Sequence, residues 1–455
     1  MKLVHALRVQ PRDVIAFVGG GGKTTAMFRL ADELVAQGKR VVTTTTTRLS
    51  RAQIDLTPIP PSPLPPLLML KCASGEGEGG WGVGGEALST HPHILIVGEE
   101  VEGDKVAGVP PELIDELAAD DRVDAVIYEA DGARLLPFKA PAAHEPVVAN
   151  STTLLAPVIG VTALGAPLDD AHVHRAEIVA RLAGARLGEP VTPLIAARVL
   201  AHPDGGLKRK PQGARARVLI NQVESDSQMD PARALARLLL NYDAIDAVAI
   251  GAVRNVRDPI RETHRRVAAI VLAAGAGTRV GGRIKQLLPW RGKTLIENAI
   301  DLAARSHVVE TVVVLGAHAE EIRAVIQATP VRIVVNRQWE EGHSTSIRAG
   351  LNALSSRIDA AIFINADQPL LTSAVVNQII QRYRETDASI IVPLYAGARG
   401  SPALFDRKHW SEFATLRGEQ GGRELLAKYP VARVEFAEAR LGTDVDTLEE
   451  YEKLT

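Results

Sequence analysis

Two strand-to-glycine junctions constrain this chain more than any other feature. In the first, Val14-Ile15-Ala16-Phe17-Val18 runs straight into Gly19-Gly20-Gly21-Gly22-Lys23-Thr24-Thr25. In the second, the apolar run Val267 to Leu272 breaks into Ala273-Ala274-Gly275-Ala276-Gly277-Thr278-Arg279. A short apolar run bounded by glycines predicts a buried strand, and a helical pattern behind it predicts a chain that returns over the sheet. Behind the first junction the pattern predicts a helix from about Lys23 to Gln37, stopped by Gly38, and a new strand from Arg40. Behind the second it predicts a helix near Thr294–Arg305 and a strand over Thr311–Leu315. Each junction therefore opens its own α/β domain with a largely parallel sheet.

Further strands are predicted at Ile94–Val97, Ala125–Tyr128, Thr153–Ala156, Arg217–Ile220 and Ala247–Ile250. Proline-rich Pro58–Pro66 and glycine-rich Ser74–Gly85 read as surface excursions. Arg254–Arg266 is polar and basic and contains Pro259, so it reads as the junction between domains. The expected organisation is a P-loop-type, mostly parallel sheet domain over residues 1–255, a linker over 256–266, and a Rossmann-like domain over 267–455. The sequences around the two glycine loops differ, so the halves are not an internal repeat.

With 46% hydrophobic and 23% charged residues, the chain has the composition of a globular protein with sizeable cores. A formal net charge of −2 provides no global attraction to nucleic acid or an anionic membrane, and neither is expected as a partner. Cys72 is the only cysteine, which excludes an intramolecular disulfide and a cysteine-built zinc site within the chain. The N-terminus lacks the pattern of a secretory signal, and no apolar run approaches the ~18–20 residues that span a bilayer. A cytoplasmic location is expected.

In the C-terminal half, small residues after the strand let backbone N–H groups approach a phosphate chain closely. A dinucleotide G-x-G-x-x-G reading fails in register, because the third glycine position is Val280. Candidate nucleotide contacts are Leu272, Ala273, Ala274, Gly275, Gly277 and Thr278 on the loop, and the cations Arg279 and Lys285 behind it. Downstream, Ala361-Ile362-Phe363-Ile364 ends in Asn365-Ala366-Asp367. A carboxylate at a strand's C-terminal end faces the crevice where open α/β sheets bind ligands. Near the terminus, Asp444 and Asp446 add two more. Two carboxylates plus triphosphate oxygens suit Mg²⁺, which takes hard oxygen ligands and few from protein. Asp367 and Asp446 are the expected ligands, with Asp444 a third candidate. The competing readings are a turn aspartate before Pro369 and N-caps for a helix at Leu448-Glu449-Glu450. Ser344, in Gly342-His343-Ser344-Thr345-Ser346, either contacts nucleotide or caps a helix together with Thr345. His343 receives no role.

These motifs occur in order: V-L-A-A-G-x-G-T-R, K-Q-L-L-P, E-G-H-S-T-S-I-R-A-G-L, N-A-D-Q-P, R-G-S-P-A-L-F and D-V-D-T. Over Ala268–Tyr451 the chain resembles the molybdenum cofactor cytidylyltransferases, within the nucleotidyltransferases that also include the guanylyl branch. Ala273-Ala274-Gly275, where the guanylyl branch usually carries a second glycine, favours CTP. The resemblance implies a Mg²⁺-dependent transfer of CMP from CTP to molybdenum-bearing molybdopterin with release of pyrophosphate. It makes Arg279, Lys285 and Asp367 the expected catalytic residues and sets Gly400-Ser401-Pro402 on the pterin side. The terminal phosphate of the acceptor has a second pKa of about 6. It is largely anionic at neutral pH, so alignment and electrostatics suffice.

The N-terminal loop follows a strand and opens a helix, the context a P-loop requires. Gly20, Gly21, Gly22 and Thr25 would cradle phosphates, Lys23 would reach the β/γ oxygens and Thr24 would hold Mg²⁺. The strict pattern has glycine where this chain has Phe17, so the loop departs from the standard form. Glu129 and Asp131 end a buried strand and are the expected acidic partners. Asn221, in Asn221-Gln222-Val223-Glu224, stands where GTPases read a base; the alternative is a strand-end cap. ATP or GTP is the expected ligand. Thr43–Thr47 reads as a strand end, and basic Lys208–Lys210 as a solvated loop.

With E-A-D-G-A-R, L-P-F-K-A-P, H-E-P-V and V-H-R-A-E added, the first part resembles an accessory family linked to selenium-dependent molybdenum hydroxylases. That resemblance implies a hydroxylase apoenzyme as partner, and brings in Lys139, His144, Glu145, His174 and Arg175 as site or surface residues. Two rivals stay open: a nucleotidyltransferase acting on a sugar phosphate or using GTP, and a non-catalytic, nucleotide-switched cofactor carrier.

Overall fold

The computed structural model describes residues 1–50, 68–71, 85–101, 105–277 and 280–454. Pro58–Pro66, Cys72, residues 74–84, Thr278 and Arg279 lie outside the described residues. The chain divides into two compact units, Met1–His264 and Arg265–Thr455, and both are α/β.

The first unit is built on a nine-stranded sheet. Its strands are β1 (Val14–Gly19), β2 (Val41–Thr45), β3 (Leu68–Lys71), β4 (His93–Val97), β5 (Ala125–Glu129), β6 (Leu154–Gly160), β7 (Arg215–Asn221), β8 (Ala247–Gly251) and β9 (Ile260–His264). The order is β9-β8-β7-β6-β1-β5-β2-β4-β3, and only the β8–β9 pair is antiparallel. Strand β1 shows why the run is apolar at every position. Val14, Ala16 and Val18 enter one core, and Ile15 and Phe17 enter the core on the opposite face. A strand covered on both sides has no solvent face to make polar.

The expected linker over 256–266 is corrected. Ile260–His264 is a paired edge strand, with Val248 opposite His264, and the unit boundary falls after His264. The segment looked like linker because it is polar, yet Glu262, Thr263, His264, Arg265 and Arg266 are buried. Glu262 is 2% exposed and accepts from Arg233 Nε at 2.9 Å, and lies 2.7 Å from His264 Nε2.

The second unit has an eight-stranded sheet. Its strands are β10 (Val267–Ala273), β11 (Glu310–Leu315), β12 (Arg332–Val335), β13 (Ala360–Asn365), β14 (Ile390–Tyr395), β15 (Ala398–Arg399), β16 (Ala403–Asp406) and β17 (Ala432–Phe436). The order is β12-β11-β10-β13-β16-β14-β15, with β17 also paired to β14. Strand β10 again alternates between two cores, Val267, Ala269 and Val271 on one face and Ala268 and Ile270 on the other. It runs parallel to β13 with Leu272 opposite Asn365. That register delivers the glycine loop and Asp367 side by side at the C-terminal edge of the sheet. Among the described residues no helix is long and apolar enough to cross a membrane.

Candidate functional site

In the second unit, three separate segments meet at that edge. The first is the loop after β10. The second is the turn after β13, tied back by the Ala366 N–H donating to the Leu272 carbonyl at 3.2 Å. The third is the chain near the C-terminus, held by Val445 N–H donating to the Asp367 carbonyl at 2.9 Å. Val445 anchors this segment because it is fully buried in a small cluster with Val280, Leu288, Trp290 and Leu295. The helix Leu448–Glu452 that follows is capped by Thr447 and Glu450, so capping is not the role of Asp444 or Asp446.

Lys285 completes the convergence. Its Nζ lies 2.6 Å from Asp367 Oδ2 and 3.1 Å from Asp446 Oδ1. The pocket around it has a volume of about 210 Å³ and is lined by Leu272, Ala273, Gly275 and Gly277 opposite Asp367 and Asp446. Gly277 is required there: its φ is +60°, and a Cβ would come 2.7 Å from Lys285 Cβ. Asp444 stands nearby, and its pKa is pushed up to about 6 by burial and by the charges of Asp367 and Asp446.

Asp367 Oδ1 is buried and without a hydrogen-bond partner, while Lys285 supplies positive charge between two carboxylates. The carboxylate oxygens of Asp367 and Asp446, not the ammonium that holds them here, fit a hard divalent cation completed by substrate oxygens. Among the described residues no three His, Cys, Asp or Glu groups cluster as a self-sufficient metal cage.

Two expected contacts lie off the pocket wall. Ala274 is buried, its carbonyl accepting from Ala317 N–H, and it does not line the pocket. Ser344 is 1% exposed and lines neither this pocket nor the larger one beside it. The helix there begins at His343 with Gly342 at its N-cap, so its first turn carries Ser344 into the interior and His343 to the cavity. Thr345 is used structurally, accepting from Asn336 Nδ2 at 2.7 Å. Gln286 was missed. Its buried amide donates to the carbonyls of Ala273 and Gly275, at 3.1 and 2.7 Å, and so fixes the loop from beneath. The available signal was a glutamine directly after the lysine in an otherwise apolar stretch.

In the first unit, the glycine loop lies at the end of β1 between β5 and β6. Its N–H groups are directed into the protein: Gly19 to Asp131 Oδ1 at 3.0 Å, Gly20 to the Val158 carbonyl at 2.9 Å, Gly21 to the Leu136 carbonyl at 3.1 Å. This corrects the reading of Gly20 and Gly21 as phosphate donors. They are glycines because two backbones press on them. A Cβ on Gly20 would stand 2.7 Å from the Leu136 carbonyl, and one on Gly21, at φ +78°, would overlap the Gly160 nitrogen. The N–H groups a helix start leaves without internal partners are those of Gly22, Lys23, Thr24 and Thr25, at the head of the helix Lys23–Val35.

Behind that helix start lies a buried charge network. Lys23 Nζ donates to the Gly19 carbonyl at 2.5 Å, with Glu129 at 3.4 Å and Asp131 at 3.5 Å. Burial lowers the Lys23 pKa, but the two carboxylates outweigh it and raise it overall. Thr24 Oγ1 donates to Glu129 Oε2 at 2.6 Å. Asp131 also pairs with Lys139 at 3.0 Å, Lys139 with Glu145 at 2.7 Å, and Glu145 with Arg175 at 2.6 Å. His144 stays exposed, its side chain at 79%. His174 is largely buried, with its pKa lowered to about 4 by burial and neighbouring cations.

Asn221 is corrected to the strand-end alternative. Its Nδ2 donates to the Gly21 carbonyl at 2.8 Å and its Oδ1 accepts from Val253 N–H at 3.0 Å, so both ends are taken by backbone. In Lys208–Lys210, Arg209 is exposed and the two lysines are half-buried. Lys208 and Arg209 donate to carbonyls of residues 142–146 and tie that segment down.

Residues 15–177 match the YqeC protein family, and residues 269–434 match the MobA-like NTP transferase domain. The uncharacterized protein YqeC of Escherichia coli (strain K12) is 32% identical over 260 residues, covering 55% of this chain and 92% of that protein. The nicotine blue oxidoreductase of Paenarthrobacter nicotinovorans is 33% identical over 198 residues, 41% of this chain and 96% of that protein. The chain is a YqeC protein joined to a MobA-like NTP transferase. A crystal structure of Rv0371c from Mycobacterium tuberculosis H37Rv is 29% identical, covering 42% of this chain and 97% of that one, at a TM-score of 0.38. The MobA-like match takes in β10 from Ala269 onward, its glycine loop, Lys285 and Asp367, and ends before Asp446. The YqeC match includes the first glycine loop, Glu129, Asp131, Lys139, Glu145 and Arg175.

Proposed function

We propose that the MobA-like unit transfers CMP from CTP to the terminal phosphate of molybdenum-bearing molybdopterin. The observation that carries this reading is Lys285 held between Asp367 and Asp446 on the wall of a pocket whose opposite side is the glycine loop. A triphosphate laid along that loop meets backbone donors and a fixed cation, which stabilise the charge that develops on the leaving group. An acceptor phosphate oxygen attacks the α-phosphorus; the bond to the β-phosphate oxygen breaks, and pyrophosphate leaves. Asp367 and Asp446 are the residues that would hold Mg²⁺, and the bound ion would neutralise charge on the phosphates. Lys285 aligns the same oxygens, and Gln286 keeps the loop carbonyls from turning into the pocket. Arg279 is proposed as a second cation on the triphosphate.

For the YqeC unit we propose binding of ATP or GTP at the helix start, with Lys23 and Thr24 on the phosphates and metal, and Glu129 and Asp131 behind them. Its part would be in the maturation or loading of a molybdenum hydroxylase.

Pyrophosphate release by the full chain tests the first reading, with CTP or GTP against molybdopterin or a sugar 1-phosphate. The expected result is release with CTP and the pterin, abolished by Lys285→Ala and retained by Lys23→Ala. Release with the sugar phosphate and not with the pterin would overturn it. Asp367→Ala separates an enzyme from a carrier: a carrier keeps delivering cofactor without turnover.

A further inference from the structure

Beside the phosphate pocket lies a larger cavity of about 690 Å³ that shares Leu272 with it. Ile347, Phe363 and Phe405 provide apolar wall, and Glu419, Glu424 and His343 provide polar wall. His343 is the first residue of the helix His343–Ala353. It has no part in the phosphate site, and no hydrogen bond engages its ring among the described residues. Its electrostatic neighbours are Glu419 and Glu424 on the cavity side and Asp367 on the phosphate side. The imidazole lines the larger cavity, within electrostatic reach of Asp367.

We propose that His343 determines acceptor specificity, its imidazole hydrogen-bonding the edge of a flat, nitrogen-rich ring that occupies the larger cavity, with Glu419 and Glu424 receiving that ring's N–H groups. The inference rests on the transferase reading above and adds a residue to it. A carboxylate can only accept, whereas a neutral imidazole donates from one nitrogen and accepts at the other. Burial lowers the pKa of His343 against the pull of Glu419, Asp367 and Glu424, which favours that two-sided form. A ring bearing both N–H donors and lone pairs on its edge uses all three groups, and its faces use the apolar wall. Gly421 lies against the imidazole, and a Cβ there would come 3.1 Å from His343 Cδ2.

The test is steady-state kinetics and calorimetric binding with the full chain, CTP and molybdopterin. His343→Ala is expected to raise the acceptor KM about tenfold, the ratio for one lost hydrogen bond, and to leave the CTP KM within about twofold. His343→Gln, which keeps a donor and an acceptor, recovers most of the loss. Gly421→Ala, which leaves the histidine in place but crowds its ring, raises the acceptor KM alone. An unchanged acceptor KM in His343→Ala, or an equal rise in both KM values, overturns the inference. If the wild-type chain releases no pyrophosphate, the transferase reading fails, and the inference is then judged by calorimetry. Weaker pterin binding in His343→Ala supports it; unchanged binding overturns it.

Discussion

Replacing Lys285 with methionine keeps the length of the side chain and removes its charge. In the structure that charge lies 2.6 Å from Asp367 and 3.1 Å from Asp446, with Asp444 close by. The lysine side chain is 11% exposed and the two carboxylates are 27% and 47% exposed. Solvent therefore screens the pair, and its loss should destabilise the free protein by only about 1 kcal/mol. The effect on transfer is larger, because a fixed cation acts on charge that develops in a confined site: a loss of about 10²–10³ in kcat. A third consequence separates this arrangement from a structural ion pair. Lys285 competes with a divalent ion for the same carboxylate oxygens, so Lys285→Met should bind Mn²⁺ more tightly than the wild type when nucleotide is absent. Thermal unfolding of both proteins across a Mn²⁺ titration measures this, and pyrophosphate release gives kcat. An equal Mn²⁺ response in the two proteins, or a kcat within about threefold of wild type, would refute the placement of metal and triphosphate on these residues.

Three other perturbations test the remaining structure. Gln286→Ala releases the carbonyls of Ala273 and Gly275 and should raise the nucleotide KM about tenfold while global stability falls by only about 1 kcal/mol; an unchanged KM would show that the loop holds itself. Asn221→Ala strands the Gly21 carbonyl and the Val253 N–H, and urea unfolding of the YqeC unit should show a loss of about 2–4 kcal/mol; a loss below about 1 kcal/mol would remove Asn221 as the brace of the glycine loop. His93 is buried beside Thr43 Oγ1 at 3.0 Å, and burial lowers its pKa to about 4. Below its ordinary value the unfolded chain takes up a proton that the folded chain refuses, so stability falls as pH drops from about 6.5 to about 4, by up to about 3 kcal/mol. His93→Gln should lack that component in urea midpoints measured between pH 7 and 4, and an identical pH dependence in both proteins would contradict it.

Local physics determined much of this protein from sequence alone. A run such as Val14–Val18 or Val267–Leu272 is apolar at every position because both faces are covered, so two sheets with parallel central strands and two loop-bearing edges were readable without coordinates, whereas the antiparallel pairs in the second sheet were not. Lys285, Asp367 and Asp446 were readable as candidates because charged residues beside strand ends need a use. What the sequence could not supply was which polar groups spend their hydrogen bonds inside the protein. Asn221, Gly20 and Gly21 looked like ligand contacts and are consumed by backbone, while Ile260–His264 looked like linker and is a buried edge strand. Only the fold brings Val445 under Asp367 and Lys285 between two carboxylates from distant segments, and only the fold carries Ser344 inward and His343 to the cavity. A strand declares itself through its own residues. A site depends on which partner reaches each donor first, and long-range packing decides that.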